Sequence, residues 1–317
     1  MFRGDLLKQC SLMAAASTLT ADELVQYGPD ETVYLARTLV PQWLDELGLQ
    51  AAPPTFAMGM HTLANHNSLV VDDAFEMEVA LRRRLLAEQR DVVFDCLPGA
   101  AEAAQETLHL VRTWMTERGL PIVNLDDHPL AVAGQLIPED LCLMVRHDDG
   151  WRLDGASLCF PSIWQLSEKL GRPMIALHSG VPHYAHELAS KVDRFLDGLR
   201  PNRPVARRNL SVKPYSLLHL PVAKSGQPVG SLIPDELGQP FWLRSELQTL
   251  RRLPHSGAIL FTIKLQVAPA RALLPRPDIA CRLAAMYRSW DDSTRSYKLG
   301  TNDLTTGFLP WLDRISS

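Results

Sequence analysis

Between residues 72 and 89 the apolar positions Phe75, Val79, Leu81, Leu85 and Leu86 recur near helical spacing, which predicts an amphipathic helix. A second helix is predicted over 100–119, where Gly119 supplies the residue type that closes helices in a left-handed conformation. Earlier, TADELVQY (20–27) sets Thr20 three residues before Glu23, a capping box, and the pair Pro53-Pro54 marks a loop. From residue 139 the period changes. EDLCLMVRHDDGWRLDGASLCF places two apolar runs around His147-Asp148-Asp149-Gly150, and 241–270 does the same around 253–257, so each predicts a β-hairpin. Between them, 162–171 predicts a short helix with Ser162 before it and Gly171 after it, 172–179 an extended segment, and 184–199 a helix. The stretch 200–220 reads as extended, and 279–290 and 305–315 as helical. Residues 220–240, rich in Pro and Gly, predict an inserted loop, equally a lid or an inert surface excursion.

Antiparallel hairpins between helical ends, without repeated βαβ units, predict an α+β fold. Its expected divisions are a mainly helical region over 1–125, a sheet core over 126–275 and a helical segment over 276–317. With 317 residues, 46% of them hydrophobic and 21% charged, the chain can bury a sizeable core. The net charge of −4 argues against a general nucleic-acid surface. No run approaches the ~20 apolar residues of a membrane span, and Asp5 and Lys8 interrupt the apolar N-terminus, so a cytoplasmic protein is expected. The five cysteines lack any CxxC pair, which predicts reduced thiols and neither a disulfide framework nor an iron–sulfur or structural zinc site.

GxSxG, Walker A, HExxH and GxGxxG are all absent. Three features remain: His178, His183 and His186; the basic run ARRNLSVKPY (206–215); and RSELQTLRRLPHS (244–256). His183 and His186 lack the further converging ligands that a mononuclear metal site needs. His178 ends the apolar segment MIAL ahead of Ser179-Gly180-Val181-Pro182, where a planar ligand can approach the backbone. On spacing alone a hydrogen-bonded core histidine is the simpler reading, and an axial haem ligand the alternative. Arg207, Arg208, Arg244, Arg251 and Arg252 lie on predicted strands, where neighbours alternate faces and one of each adjacent pair points inward. A buried arginine needs an anion, either a carboxylate such as Glu246 or a bound ligand.

In this order, FPSIWQLSEKLG, LHSGVP, RRNLSV and RSELQTLRRLPHSGAILFTI resemble the haem-dependent oxidative N-demethylase family, with EDLCLM (139–144) and FAMGMHTL (56–63) adding weaker matches. The resemblance covers about residues 56–300. It implies a PAS-like antiparallel sheet with helical flanks that binds haem b, and monooxygenase chemistry on a small secondary amine. Oxygen is the co-substrate, and electrons come from flavin and iron–sulfur cofactors on partner subunits. It also implies His178 as the iron ligand, with Pro182 beside it. Arg208, Asn209 and Glu246 are the implied catalytic group, and Arg208, Arg244, Gln248 and Ser256 the implied haem contacts. Thr249 is a further hydrogen-bond donor, while His183, His186 and His255 stand as alternative ligands.

The sequence departs from the family pattern at Ser179-Gly180, where a proline is usual, at Leu210 in place of tryptophan, and at Leu69 in place of an aromatic. Two lost aromatics predict a roomier pocket and a substrate larger than dimethylamine. Rival readings are a non-catalytic haem PAS gas sensor and a scaffold that has lost haem.

Overall fold

The computed structural model describes residues 41–49, 59–64, 68–179, 184, 189–213, 216–221, 233–239, 241–292, 294 and 307–317. The expected cap at 20–27 and loop at 53–54, together with Pro182, His183 and His186, lie outside the described residues, as does most of the inserted loop over 220–240.

Among the described residues seven strands form one antiparallel sheet: β1 (His61–Thr62), β2 (Phe94–Cys96), β3 (Asp140–His147), β4 (Gly150–Ser157), β5 (Val205–Lys213), β6 (Trp242–Arg252) and β7 (Ile259–Pro269). Their spatial order is β1-β5-β6-β7-β3-β4-β2. Both predicted hairpins are present. β3 and β4 pair from His147 opposite Gly150, whose φ of 130° suits glycine at the turn, and β6 pairs with β7 along its whole length. The edge strands β1 and β2 come from the region expected to be mainly helical.

Helices cover the sheet. The predicted amphipathic helices are α1 (Phe75–Glu88) and α2 (Ala101–Glu117), and Gly119 has the expected positive φ of 63°. They are followed by α3 (Pro129–Gly134), α4 (Met174–Leu177), α5 (Ala189–Gly198), α6 (Pro277–Ser289) and α7 (Leu309–Ser316). On one face, Leu141, Leu143 and Leu260 pack against α2 and α3, while Leu243 and Ala268 pack against α6 and α7. On the other, Cys142, Met144, Val205, Leu250 and Ile259 meet Leu196 and Leu199, with Met174 and Leu177 of α4 against them. Helices and a single antiparallel sheet make the fold α+β. Among the described residues no helix is long and apolar enough to cross a membrane.

Two local expectations are corrected. Residues 162–171 form only a 3-10 turn, Leu166–Glu168, because Ser162 turns its hydroxyl to Glu246 instead of capping a helix, and Ile163 adopts a φ of 63°. Residues 172–179, expected to be extended, contain the short helix α4, started by Pro173 at φ −70°.

Candidate functional site

Strand alternation assigns every side chain of β5 and β6 to a face. Asn209 pairs with Glu246 and Arg207 with Gln248, so these four share the face on which α4 and α5 pack. The Glu246 carboxylate accepts from Ser162 Oγ at 2.5 Å, from Gln248 Nε2 at 2.8 Å and from Asn209 Nδ2 at 3.3 Å. Gln248 Oε1 in turn accepts from Arg207 Nε at 2.7 Å. Burial alone would raise the Glu246 carboxyl, but the Ser162 hydrogen bond, the Arg244 charge and the two amides outweigh it and hold it below the ordinary range. This carboxylate stays ionised.

Arg244 fastens the site to the loops around it. Its Nε donates to Ser162 Oγ at 2.9 Å, its Nη1 to the Leu217 carbonyl at 2.5 Å, and its Nη2 to the carbonyls of Leu218 and Pro161 at 2.9 and 3.1 Å. The guanidinium is thereby committed to positioning the two segments beside Glu246.

His178 follows the last residue of α4. A carbonyl can only accept, so the 3.0 Å contact between Nδ1 and the Met174 carbonyl puts a proton on Nδ1, and whenever the ring is neutral its lone pair is on Nε2. Its ring stacks on Tyr184, with centroids 4.3 Å apart and planes 10° from parallel. Tyr184 is buried, and its hydroxyl has no hydrogen-bond partner among the described residues. Burial, with the Asp193 charge adding and Arg207 opposing, pushes that phenol up to about 12. Tyr184 therefore stands within the field of Arg207 while it covers His178.

The structure brings together Asn209, Arg244, Glu246 and Gln248 and separates three other expected residues from them. Arg208 points to the opposite face, where it binds Glu46, Gln266 at 2.8 Å and Ser245 at 3.3 Å. Its neighbour Arg207 stands in the network instead. Ser256 lies in the β6–β7 turn and donates to Glu106 of α2 at 2.8 Å, and Thr249 pairs with Thr262 at 2.6 Å on the far face. The predicted roomier pocket loses its basis too, because Leu210 packs in the core with α6 and α7 and Leu69 in the core with α2 and α3, both away from Glu246.

Sequence reasoning missed His219. Fully buried, it donates from Nδ1 to the Cys159 carbonyl at 2.7 Å, and burial lowers it to about 4, so the ring is neutral. A histidine inside the apolar run Leu217-Leu218-His219-Leu220 was the available signal.

One face of this antiparallel α+β sheet carries the ionised Glu246 carboxylate, held by three donors with Arg244 beside it, and α4, which packs on that face, ends at the oriented imidazole of His178. The chain belongs to the family described as haem-dependent oxidative N-demethylase, alpha subunit-like, which matches residues 59–118 and 115–303, more than half of its length. The donor set fits haem. Imidazoles that ligate metals generally give their other N–H to a carbonyl or carboxylate, as His178 gives Nδ1–H to Met174. Arg207, on the face where α4 packs, has the charge that suits a propionate.

Proposed function

We propose that the protein oxidises a small amine by an oxygen-using N-dealkylation at a haem b group held by His178, with electrons delivered by separate flavin and iron–sulfur subunits. The supporting architecture is PAS-like. The observation that carries the reading is an ionised Glu246 on the sheet face where α4 packs, with an imidazole at the end of α4 whose Nδ1–H is anchored by a carbonyl. Haem, when bound, supplies the redox and oxygen chemistry that no side chain here provides.

Every other task falls to the chain. Glu246 has the charge to hold a protonated amine, and because its carboxyl lies below the usual range it is a weak base, an anchor more than a proton acceptor. Asn209, Gln248 and Ser162 fix its two oxygens, which sets where an ammonium group sits. Gln248 transmits that placement to Arg207, and Tyr184 shields one ring face of His178 from water. Domain roles follow: residues 126–275 carry the site, while 1–125 and 276–317 support it.

Ultraviolet-visible spectra of the protein supplied with haem, in ferric, dithionite-reduced and CO-bound forms, test the reading. A Soret band that moves on reduction and on CO binding is expected for wild type and His219→Ala, and a lost or altered band for His178→Ala. A normal band in His178→Ala with loss in His219→Ala would transfer the ligand role to His219. No band in wild type would leave a scaffold. Glu246→Gln is expected to keep the haem spectrum and to raise KM for the amine about tenfold or more, as loss of a charge-assisted contact does. A haem spectrum without turnover of any secondary amine would favour the gas sensor.

A further inference from the structure

The sheet face that carries Glu246 is covered by α4 and α5, which share one apolar cluster through Met174, Leu177, Val192 and Phe195. Their outer sides are left to solvent. On α4, Ile175 is 51% exposed and Ala176 is exposed next to it, both within one turn of His178. The core does not need them, because Met174 and Leu177 already make the inward contacts of this helix.

The exposed charge that accompanies these apolar residues is positive. Arg172 stands just before α4, Lys191 and Arg194 lie three positions apart on α5, and Arg200 and Arg203 occupy the turn that follows, all of them exposed. Arg172, Lys191, Arg200 and Arg203 have no carboxylate partner among the described residues. The acids of this region offset little of that charge. Asp197 accepts from Arg146 at 3.2 Å and from Trp151 Nε1 at 3.0 Å, Asp149 pairs with Arg152, and Asp193 keeps one oxygen buried, while Glu168 is exposed. Residues 169–203 hold six Lys or Arg and three Asp or Glu in a chain whose net charge is −4, so the excess is local. Both helices are also held in place from below. Arg252 donates to the Leu196 and Leu199 carbonyls at 2.8 Å, and Arg152 Nη1 to the Gly171 carbonyl at 3.1 Å, which limits the ordering cost of any contact made here.

We propose that the outer side of α4 and α5 is the docking surface for an acidic electron-donor protein, which seats on Ile175 and Ala176 and is steered there by Arg172, Lys191 and Arg194. The inference rests on His178 as the iron ligand, since the ligand then ends the same short helix that presents the apolar contact. One electron passes from the donor, which is oxidised, to ferric iron, which is reduced, and no bond is made or broken. An apolar centre with a charged rim suits the small, short-lived interfaces of electron transfer. Opposite charge on the partner raises the rate of encounter and fixes its orientation.

An acidic plant-type ferredoxin, kept oxidised, is the probe, titrated into the protein with and without haem. It is expected to bind with a Kd of about 100 µM or tighter at an ionic strength of about 10 mM, and about tenfold or more weakly at about 200 mM. Lys191→Glu combined with Arg194→Glu is expected to weaken binding about tenfold or more and to flatten its salt dependence. Ile175→Ser is expected to weaken it severalfold. Arg314→Glu, at an exposed position of α7 on the opposite face, is expected to leave it unchanged. Carbodiimide coupling, which joins lysine amines to carboxylates of a bound partner, is expected to link the ferredoxin at Lys191. The proposal is overturned if ferredoxin does not bind at low ionic strength, if the double reversal binds as wild type does, or if the cross-links map away from α5. Binding is read without haem, so the two readings fail separately. Ferredoxin held at Lys191 by a protein without a Soret band would keep the docking surface and end the oxidation, and a Soret band without ferredoxin binding would do the reverse.

Discussion

At the scale of the residue, Glu139 shows what burial does to a charge. It is fully enclosed, accepts the Val70 N–H at 2.8 Å and shares its surroundings with Lys264, Asp72 and Glu78. Burial, with the Asp72 charge adding and Lys264 opposing, lifts its carboxyl from 4.5 to about 7. A raised carboxyl favours the protonated folded state, so its contribution is full below about pH 4.5 and is lost as pH rises through about 7. The loss amounts to about 3 kcal/mol. Urea denaturation of the wild type is therefore expected to show stability falling across that window relative to Glu139→Gln, which cannot ionise. Parallel pH profiles for the two proteins would contradict the assignment. One residue of parity is equally decisive at the sheet: Arg207 joins Glu246, whereas Arg208 reaches Glu46 on the other side.

At the scale of elements, a buried ion pair ties four of them. Arg82 of α1 donates to Asp140 of β3 at 2.5 Å, to the Gly134 carbonyl at the end of α3 at 2.7 Å and to the Ser157 carbonyl of β4 at 3.0 Å. Asp140 also accepts the Cys159 N–H at 2.7 Å, which sets the start of the segment that carries Ser162. Asp140→Asn leaves a buried guanidinium without its counter-charge and is expected to cost about 3–5 kcal/mol in denaturant titration. Isosteric loss of under about 1 kcal/mol would mean the amide serves as well. What the sequence made legible follows the range of the forces. Helices α1 and α2 and both hairpins were readable because their periods and turn residues are local. The segment 162–179 was not, since Ser162 is claimed by Glu246 and Arg244, 84 and 82 positions away. Glu246, Gln248 and Asn209, named together from their motifs, do share one hydrogen-bonded network. Arg207 was not readable as their partner, because the choice between it and Arg208 depends on which face of β5 meets α4 and α5.

At the scale of the whole molecule, the sheet presents two faces of different chemistry. Glu246 and Gln248 project from the face paired with Leu265 and Ile263, and Arg251 from the face paired with Leu260. A ligand that binds only the folded chain stabilises it by RT ln(1 + [L]/Kd), about 2.7 kcal/mol at a hundredfold excess over Kd. Haem supplied at that excess is expected to raise the melting midpoint of the wild type on the order of 5 °C, with most of the gain absent in His178→Ala. Retention of the full gain in His178→Ala would place the haem against another part of the sheet, and a gain lost in both His178→Ala and Glu246→Gln would mean that the carboxylate supports the bound group as well as the amine.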